Sequence, residues 1–344
     1  MNLKSGDLYF INEVNVLTGA ESDFYKIGLV KDSRQGDAAN RLDEHQTGNP
    51  RRLVIVECIE SPAISDLEKS VHNRFATRRI LGEWFVLSPE ELAAVVTVAR
   101  NLSTELSAHS ERLMFAAELA KTESTEDIRE PNDEALEWFR RAKGAKELEK
   151  RTKALKQRSD NYFKAMIDNG VDANLVAGWT TGTKTSFDKE KFAEAHPELF
   201  NEYQKEETRI SHRFLLKTNV DVEVPDLDES FIEFEGRHSD FLDKVSDDSD
   251  FLEEVHLAHL ELLGFQAQAK WGWEIAEANL KSLCGLATAI DGIAAWGRKY
   301  ATTTKLDEAA LRRDQPDVFM NFAQEVATRS FGVSPMRSYA ISGR

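Results

Sequence analysis

The amino-acid sequence predicts an α+β protein with a small mixed sheet and its helices first, then a helical arm, then two repeated units. Three observations support this class. Short segments rich in aromatic and β-branched residues alternate with polar turns over the first 90 residues. Helical periodicity then runs from residue 89 to about residue 168. The back half contains two copies of one pattern, and a length of 344 residues leaves room for several domains.

The first 90 residues contain the predicted sheet and its helices. Strands are expected over 7–13, 24–30, 52–60 and 83–87, and helices over 36–46 and 62–77. Ser88 and Pro89, followed by two glutamates, form a typical helix start, with a serine N-cap, proline at the first helical position and acids in the first turn. The predicted first domain therefore spans 1–90, and the helical arm spans 91–160.

Two copies of a helix, a hairpin, a second helix and a strand are predicted in the back half. The copies cover 162–200 and 279–319, with a tryptophan-centred hairpin at Trp179 or Trp296. In both copies an aspartate N-cap is followed by a proline nine residues later and by a phenylalanine three residues after that. The predicted domains here are repeat unit 1 over 161–220, an acidic linker over 221–250 and repeat unit 2 over 251–344.

Charge is distributed unevenly along the chain. The formal net charge is -16, but residues 221–254 alone carry 14 acidic and 2 basic residues, a net charge of -12. The basic run 140–158 contains nine basic residues and two glutamates. The overall charge excludes a chain that is basic everywhere, but it leaves room for a local phosphate-binding site. The acidic segment is expected either to be a solvated linker or to cover the basic run.

The cysteine count and the apolar segments exclude several classes of protein. Two cysteines are too few for a disulfide scaffold or a four-cysteine zinc site. Apolar runs are shorter than the ~18 residues of a spanning helix, and the start has no apolar signal region, so we expect a cytoplasmic protein that does not enter a membrane. Glu253, His256 and His259 could hold a metal on one helix face, although an ordinary surface helix has the same pattern.

Six short motifs occur in order near the N-terminus. They are LYFI at 8–11, YKIG at 25–28, Arg41-Leu42, TGNP at 47–50, Leu67-Glu68 with His72 and Phe75, and GEWF at 82–85. In order, spacing and placement, these motifs resemble the GIY-YIG nuclease superfamily. They most resemble its divergent branch, whose second motif reads KIG and which occurs in phage and bacterial proteins described as DNA-binding. The resemblance covers residues 1–88.

The resemblance implies a metal-dependent site for hydrolysis of a DNA phosphodiester bond. It assigns the metal-binding carboxylate to Glu68, and hard oxygen ligation suits Mg²⁺ or Mn²⁺. It assigns the grip on a phosphate oxygen to Arg41 and the orientation or deprotonation of the attacking water to Tyr9. Lys26 replaces the catalytic tyrosine of the second motif, and it could contact phosphate or lower the pKa of a neighbouring phenol.

Further candidates lie around these residues and in the helical arm. His72 follows Glu68 by four residues on the same helix face and could be a general base or a water ligand. Tyr25 is a candidate DNA contact on the opposite face of its strand from Lys26. Glu83 could face the cleft. The candidates for DNA-backbone contacts in the basic run are Arg140, Arg141, Lys150 and Arg151.

These residues predict a metal-dependent DNA endonuclease or nickase, linked to a phage, a prophage or anti-phage defence. One alternative is a non-cleaving DNA-binding or regulatory protein that retains the phosphate cleft. Another is an assembly subunit, with a second copy or a protein partner bound through the helical arm and the C-terminal repeats. The repeated unit also resembles the accessory segment of YqaJ-like viral recombination exonucleases, which implies phage-linked DNA metabolism and transfers no catalytic residue.

Overall fold

The α+β class is confirmed by the computed structural model, which describes residues 1, 3–31, 37–47, 49–173, 175–217, 223, 225–244 and 249–339. Gly48 of the TGNP motif and the acidic residues Asp221, Asp247 and Asp248 lie outside these ranges. None of the helices found in the described ranges combines the length and the apolar composition needed to cross a membrane.

The N-terminal sheet has five strands. They are β1 (Gly6–Val14), β2 (Glu21–Lys31), β3 (Arg52–Ser61), β4 (Arg79–Leu81) and β5 (Trp84–Val86). Their order across the sheet is β3-β1-β2-β5-β4, and every pair is antiparallel, whereas the sequence suggested a mixture of directions. Short turns suffice to connect antiparallel neighbours such as β1 and β2. β4 was not predicted because three residues are too few to show a pattern.

Helices cover both faces of this sheet. They are α1 (Asp37–Gln46), α2 (Ile64–Arg74) and α3 (Pro89–Leu119). Because side chains alternate along β1, Tyr9 and Ile11 share one cluster with Leu42 of α1, while Leu8 and Phe10 join the main core with α2 and α3. The predicted helix start at Ser88 is confirmed as a capping box, in which Ser88 and Glu91 each bond to the other's backbone N–H.

The rest of the chain contains seven further helices and eight further strands in its described part. The helices are α4 (Asp133–Asp168), α5 (Lys189–Ala195), α6 (Pro197–Glu202), α7 (Glu229–Leu242), α8 (Ser249–Cys284), α9 (Glu308–Asp314) and α10 (Pro316–Phe322). The strands are β6 (Ile128–Arg129), β7 (Ala177–Phe187), β8 (Gln204–His212), β9 (Leu215–Leu216), β10 (Ala289–Ile290), β11 (Ala294–Ala295), β12 (Arg298–Leu306) and β13 (Ala323–Val333).

Helices α4 and α8 form an antiparallel pair. Ser159 near the end of α4 bonds to His259 Nδ1 at 2.9 Å, while Lys146 nearer its start lies over the ring of Trp273. Each helix has 36 residues and is therefore about 54 Å long. Because α8 also packs against α2 and α3, it connects the helices beside the N-terminal sheet to α4.

The acidic segment contains a packed helix. Phe231 and Phe234 of α7 are buried in a cluster with residues of α4 and α8. Glu235 forms a bidentate ion pair with Arg151, and Asp243 lies 2.9 Å from Arg158. The linker interpretation is therefore wrong for 229–242, and the acidic segment covers part of the basic run. The domain boundaries themselves stay a prediction.

The strands of the two repeats pair between the copies. β7 pairs with β13 and β12 pairs with β8, so that two separate two-stranded ribbons form and Trp179 lies in a ribbon between the copies, not in a hairpin. The hairpin predicted at Trp296 is present, because β10 and β11 pair antiparallel immediately before this residue. Within each copy a pair of short helices separates the two strands. These helix pairs pack on each other through Phe192, Leu311 and Phe319, and we call this cluster the knob. Each repeat thus contains a helix, a strand, two short helices and a strand, and the second repeat has the β10–β11 hairpin in addition, after its long helix.

Candidate functional site

Tyr9 lies at the centre of the sheet face that α1 covers. Its cross-strand partner on β2 is Gly28, and a Cβ added to Gly28 would lie 2.5 Å from the Tyr9 hydroxyl oxygen. The glycine of the KIG motif is therefore required because the phenol occupies the space of any larger side chain. The Tyr9 ring is 2% exposed, and its hydroxyl lies 3.2 Å from Nε2 of His45.

Lys26 and Tyr25 lie on opposite faces of β2. Lys26 is paired across the strand with Ile11, on the Tyr9 face, and its Nζ lies 3.3 Å from the carboxylate of Glu83. The side chain of Tyr25 is buried in the main core on the other face, opposite Phe85. Lys26 therefore lies on the same sheet face as Tyr9, and we call this face, with Tyr9, Lys26 and Glu83 on it, the cleft. The DNA contact predicted for Tyr25 has no support, because core packing holds that ring away from the cleft.

Helix α1 brings Arg41 and His45 to this cleft. They lie four residues apart and therefore share a helix face. The Arg41 side chain is 49% exposed and pairs with Glu44. Burial lowers the pKa of His45, and the positive charges of Lys26 and Arg41 lower it further, so the imidazole is neutral at pH 7. Sequence reasoning missed His45, although its spacing from Arg41 was a signal that could have found it.

Glu68 of α2 is a half-buried carboxylate in the same charge environment. Burial raises its pKa to about 7, and the negative charge of Glu83 contributes in the same direction. The nearby cations Arg79, Lys31 and Lys26 oppose this rise. Glu68 and Glu83 are therefore two carboxylates that repel each other in a setting with reduced access to water. Glu83 faces the cleft as expected, whereas Arg79 was missed.

Tyr9 remains protonated at neutral pH. Burial, followed by the charge of Glu83, raises its pKa to about 12, and Arg41 counteracts this only in part. A phenol with so high a pKa donates a hydrogen bond and does not remove a proton from water. Of the two roles expected for Tyr9, the structure supports orientation of the water, while neutral His45 is the group beside it that can accept a proton.

His72 has a structural contact and does not face a substrate. Its side chain is 6% exposed, Nε2 donates a hydrogen bond of 2.8 Å to the carbonyl of Ile27, and the ring lies against Phe85. Burial lowers its pKa to about 4. The role of general base or water ligand is therefore not supported, because the ring connects α2 to β2 inside the core.

The candidate DNA contacts in the basic run are already matched with carboxylates. Arg140 and Arg141 pair with Glu137, Lys150 pairs with Glu147, and Arg151 pairs with Glu235 of α7. DNA would have to displace these partners before it could bind. A contact between this run and a DNA backbone therefore stays a prediction, and the ion pairs weaken it.

The metal site considered at Glu253, His256 and His259 does not form. Glu253 is exposed, whereas His256 and His259 are buried and bond to the Ser334 carbonyl and the Ser159 hydroxyl. Burial lowers the pKa of His256 to about 4 and that of His259 to about 3. Within the described ranges, no group of three or more histidine, cysteine, aspartate or glutamate residues could hold a metal.

Glu68 and Glu83 are the two carboxylates here that could hold a hydrated cation of the magnesium type. Mg²⁺ keeps several waters and is usually held by one or two carboxylates together with substrate phosphates. Glu68 and Glu83 provide such a donor set. The raised pKa of Glu68 fits the same interpretation, because a carboxylate penalised by burial and by a like charge gains most from a bound cation.

Comparison with known proteins finds a similarity in the N-terminal part of the chain. Residues 8–100 match the family model described as T5orf172 domain. This family is associated with nuclease-type domains of the GIY-YIG and HNH-like kinds. The match extends from within β1 into α3 and includes Tyr9, Arg41, His45 and Glu68. No curated protein and no solved structure matches the chain.

Proposed function

We propose that this cleft hydrolyses a phosphodiester bond of DNA, as a metal-dependent endonuclease or nickase in a phage, prophage or anti-phage setting. The observation that carries the proposal is the hydrogen bond between Tyr9 and neutral His45, with Arg41 on the same helix and the carboxylate of Glu68 nearby. A proton acceptor, a cation and a carboxylate for a metal are what this hydrolysis needs. The match to the T5orf172 domain supports the same class.

His45 and Tyr9 act on the attacking water. The water oxygen bonds to phosphorus while His45 accepts a proton from the water, and the bond to the leaving oxygen breaks. Tyr9 donates a hydrogen bond that orients the water or a phosphate oxygen. The lowered pKa of His45 keeps it unprotonated and able to do this at neutral pH.

Arg41 and Lys26 bind the phosphate oxygens. Arg41 pairs with exposed Glu44, and Lys26 with partly exposed Glu83, so a phosphate can replace either carboxylate at small cost. Arginine suits this contact because its planar guanidinium donates two parallel hydrogen bonds. Lys26 provides a point charge where a second tyrosine would otherwise stand.

Glu68, with Glu83 close by, would hold Mg²⁺ or Mn²⁺. A bound divalent cation compensates the charge of the phosphate and stabilises the leaving oxygen. Glu68 must be ionised to bind it, and with a pKa of about 7 the proton competes with the cation below neutral pH. The protein thereby links occupancy of the site to pH.

A second candidate function is DNA binding without cleavage. The observation that favours it is the ion pair of Lys26 with Glu83, which places a salt bridge where the commoner second motif has a catalytic tyrosine. Such a protein would retain the phosphate contacts of Arg41 and Lys26 and would lack turnover.

Cleavage of supercoiled plasmid distinguishes the two functions. We expect the wild-type protein to produce open-circular or linear DNA with Mg²⁺ or Mn²⁺ and not with a chelator. Glu68→Gln should lower the rate at least ~100-fold, the scale of losing a catalytic group. The matched control is Glu118→Gln, which alters an exposed carboxylate far along α3 and should cut at the wild-type rate. Intact plasmid with every metal, together with tight DNA binding, would establish the non-cleaving alternative.

A further inference from the structure

The ribbon formed by β8 and β12 stands apart from the body of the protein over most of its length. Nearly all of its residues on both faces are exposed or half-exposed. A two-stranded ribbon alone is only marginally stable, so its two ends must hold it. At the tip, Leu306 and Tyr203 pack into the knob.

The base of this ribbon is fixed by a buried arginine. Arg298 is 0% exposed, and its guanidinium donates to the carbonyls of Thr122 at 3.0 Å and Gly285 at 2.8 Å. The same group lies 4.0 Å from the ring centroid of Trp296. Because both ends are held, the ribbon presents its side chains in a fixed arrangement.

Because side chains alternate along each strand, most of the charged residues of this ribbon lie on one face. Directly paired residues share a face, and four pairs lie on the face that we call the basic face. They are Lys205 with Lys305, Glu207 with Thr303, Arg209 with Ala301, and Ser211 with Lys299. This face carries four cations and one carboxylate. On the other face, Arg298 and His212 lie at the base of the ribbon, and Glu206 is the only acid or base on the rest of that face.

The charges on the basic face lie close enough to interact. The pKa of Glu207 is lowered by its hydrogen bond and charge interaction with Lys305, and further by Arg209 and Lys205. One glutamate is therefore surrounded by three cations. Its salt bridge with Lys305, at 3.1 Å, leaves the other cations of this face available.

The basic face differs from the basic run of α4 because, among the described residues, most of its cations are not paired with a carboxylate. In the described part of the chain no ion pair involves Lys205, Arg209 or Lys299, whereas Arg140, Arg141, Lys150 and Arg151 all have carboxylate partners. The protein as a whole carries a net charge of -16. A rigid, exposed face with four cations and one carboxylate, in so acidic a chain, is complementary to a polyanion.

We propose that the basic face of the β8–β12 ribbon binds the phosphate backbone of duplex DNA. This inference rests on the proposed function and adds a second contact to the substrate of the cleft. Lys205 and Arg209 are about 14 Å apart along β8, and Lys299 and Lys305 about 20 Å apart along β12. The face therefore spans several phosphates, and a two-stranded ribbon also fits the major groove, which is about 12 Å wide.

The test is a salt-dependent DNA-binding measurement on the full chain without metal. The ribbon variant carries Lys205→Gln, Arg209→Gln and Lys299→Gln. The control variant carries Lys121→Gln, Lys189→Gln and Lys191→Gln, which remove the same charge from exposed sites just after α3 and in the knob. Fluorescence anisotropy with a labelled duplex of several helical turns gives the affinity of each protein from about 50 to about 200 mM salt.

The ribbon variant should bind more weakly, and the slope of log affinity against log salt should fall by about 2.7, the value for three lost phosphate contacts. The control variant should follow the wild type. If the ribbon variant retains the wild-type affinity and slope, the inference is overturned, and a preference of this face for an acidic protein becomes the remaining explanation of its charge. A plasmid-cleavage assay of the wild type is scored separately. Loss of slope without any cleavage supports the ribbon contact and contradicts the proposed function, while cleavage with an unchanged slope does the reverse.

Discussion

Replacing Glu68 by glutamine should stabilise the protein at alkaline pH. The pKa of Glu68 is raised from 4.5 to about 7 in the folded protein, because the charged form loses hydration and lies near Glu83. The folded state therefore holds this proton more tightly than the unfolded chain does. The resulting stability is fully present below pH 4.5 and is lost as the pH rises through about 7. Glutamine has the same shape without the charge, so it avoids this loss.

The size of the effect follows from the pKa. A rise from 4.5 to about 7 corresponds to ~3 kcal/mol at most, since one pKa unit equals about 1.36 kcal/mol. Solvent still reaches the half-buried carboxylate and screens part of the interaction, which reduces the expected gain to ~1–2 kcal/mol. That gain raises the melting temperature by roughly 1–3 °C for a chain of this length.

Thermal denaturation of wild type and Glu68→Gln in a chelator, at about pH 5 and about pH 8.5, measures this difference. We expect the variant to melt higher at the alkaline pH, with most of the gain absent at the acidic pH. Added Mg²⁺ should then raise the melting temperature of the wild type and leave the variant unchanged. A variant that is no more stable than the wild type at the alkaline pH would refute the argument that Glu68 is a penalised carboxylate.

Three further predictions concern the cleft. Arg41→Ala should abolish plasmid cleavage and leave the melting temperature unchanged. Its control is Arg100→Ala, which removes another exposed arginine on the other side of the sheet and should cut normally. Equal cleavage by both variants would exclude Arg41 from the site. His45→Asn should slow cleavage by about 100-fold or more at neutral pH and make the acidic limb of the pH–rate profile less steep, because protonation of Glu68 then remains as a cause of the loss and protonation of the imidazole does not. Gly28→Ala should displace the Tyr9 ring, because the added methyl group overpacks the site. We expect a loss of ~1–3 kcal/mol in the free energy of unfolding, measured by chemical denaturation, and no cleavage in the plasmid assay. Wild-type behaviour would mean that the ring does not lie over this glycine.

Local patterns predicted the N-terminal domain well. Period-two alternation separates Lys26 and Tyr25 onto opposite faces of their strand, as the structure has them, and the expected helix start at Ser88 forms a capping box. The DNA contact expected of Tyr25 was wrong, because its face is the core. These features depend on neighbours in sequence, which is why they can be read without the structure. His72 shows the limit of this approach, since its spacing from Glu68 is helical but its ring points into the core.

Features that depend on distant pairing could not be predicted in the same way. The repeats suggested a hairpin at Trp179, yet the partner of that strand lies near the end of the chain, with Trp179 opposite Phe331. The charge of the acidic segment suggested a solvated linker. The packing of α7 through Phe231 and Phe234 was therefore not predicted. In both cases the deciding contact is tertiary, and composition alone carries no information about it.

The central claim is that Tyr9, Arg41, His45 and Glu68 form one site that hydrolyses DNA. Single-turnover cleavage of an end-labelled duplex in Mg²⁺, for wild type and Glu68→Gln at equal DNA saturation, tests this claim most directly. We expect metal-dependent strand cleavage by the wild type and a rate at least ~100-fold lower for the variant, with DNA affinity unchanged. Equal cleavage rates for the two proteins, or no cleavage by the wild type with any divalent cation, would contradict it.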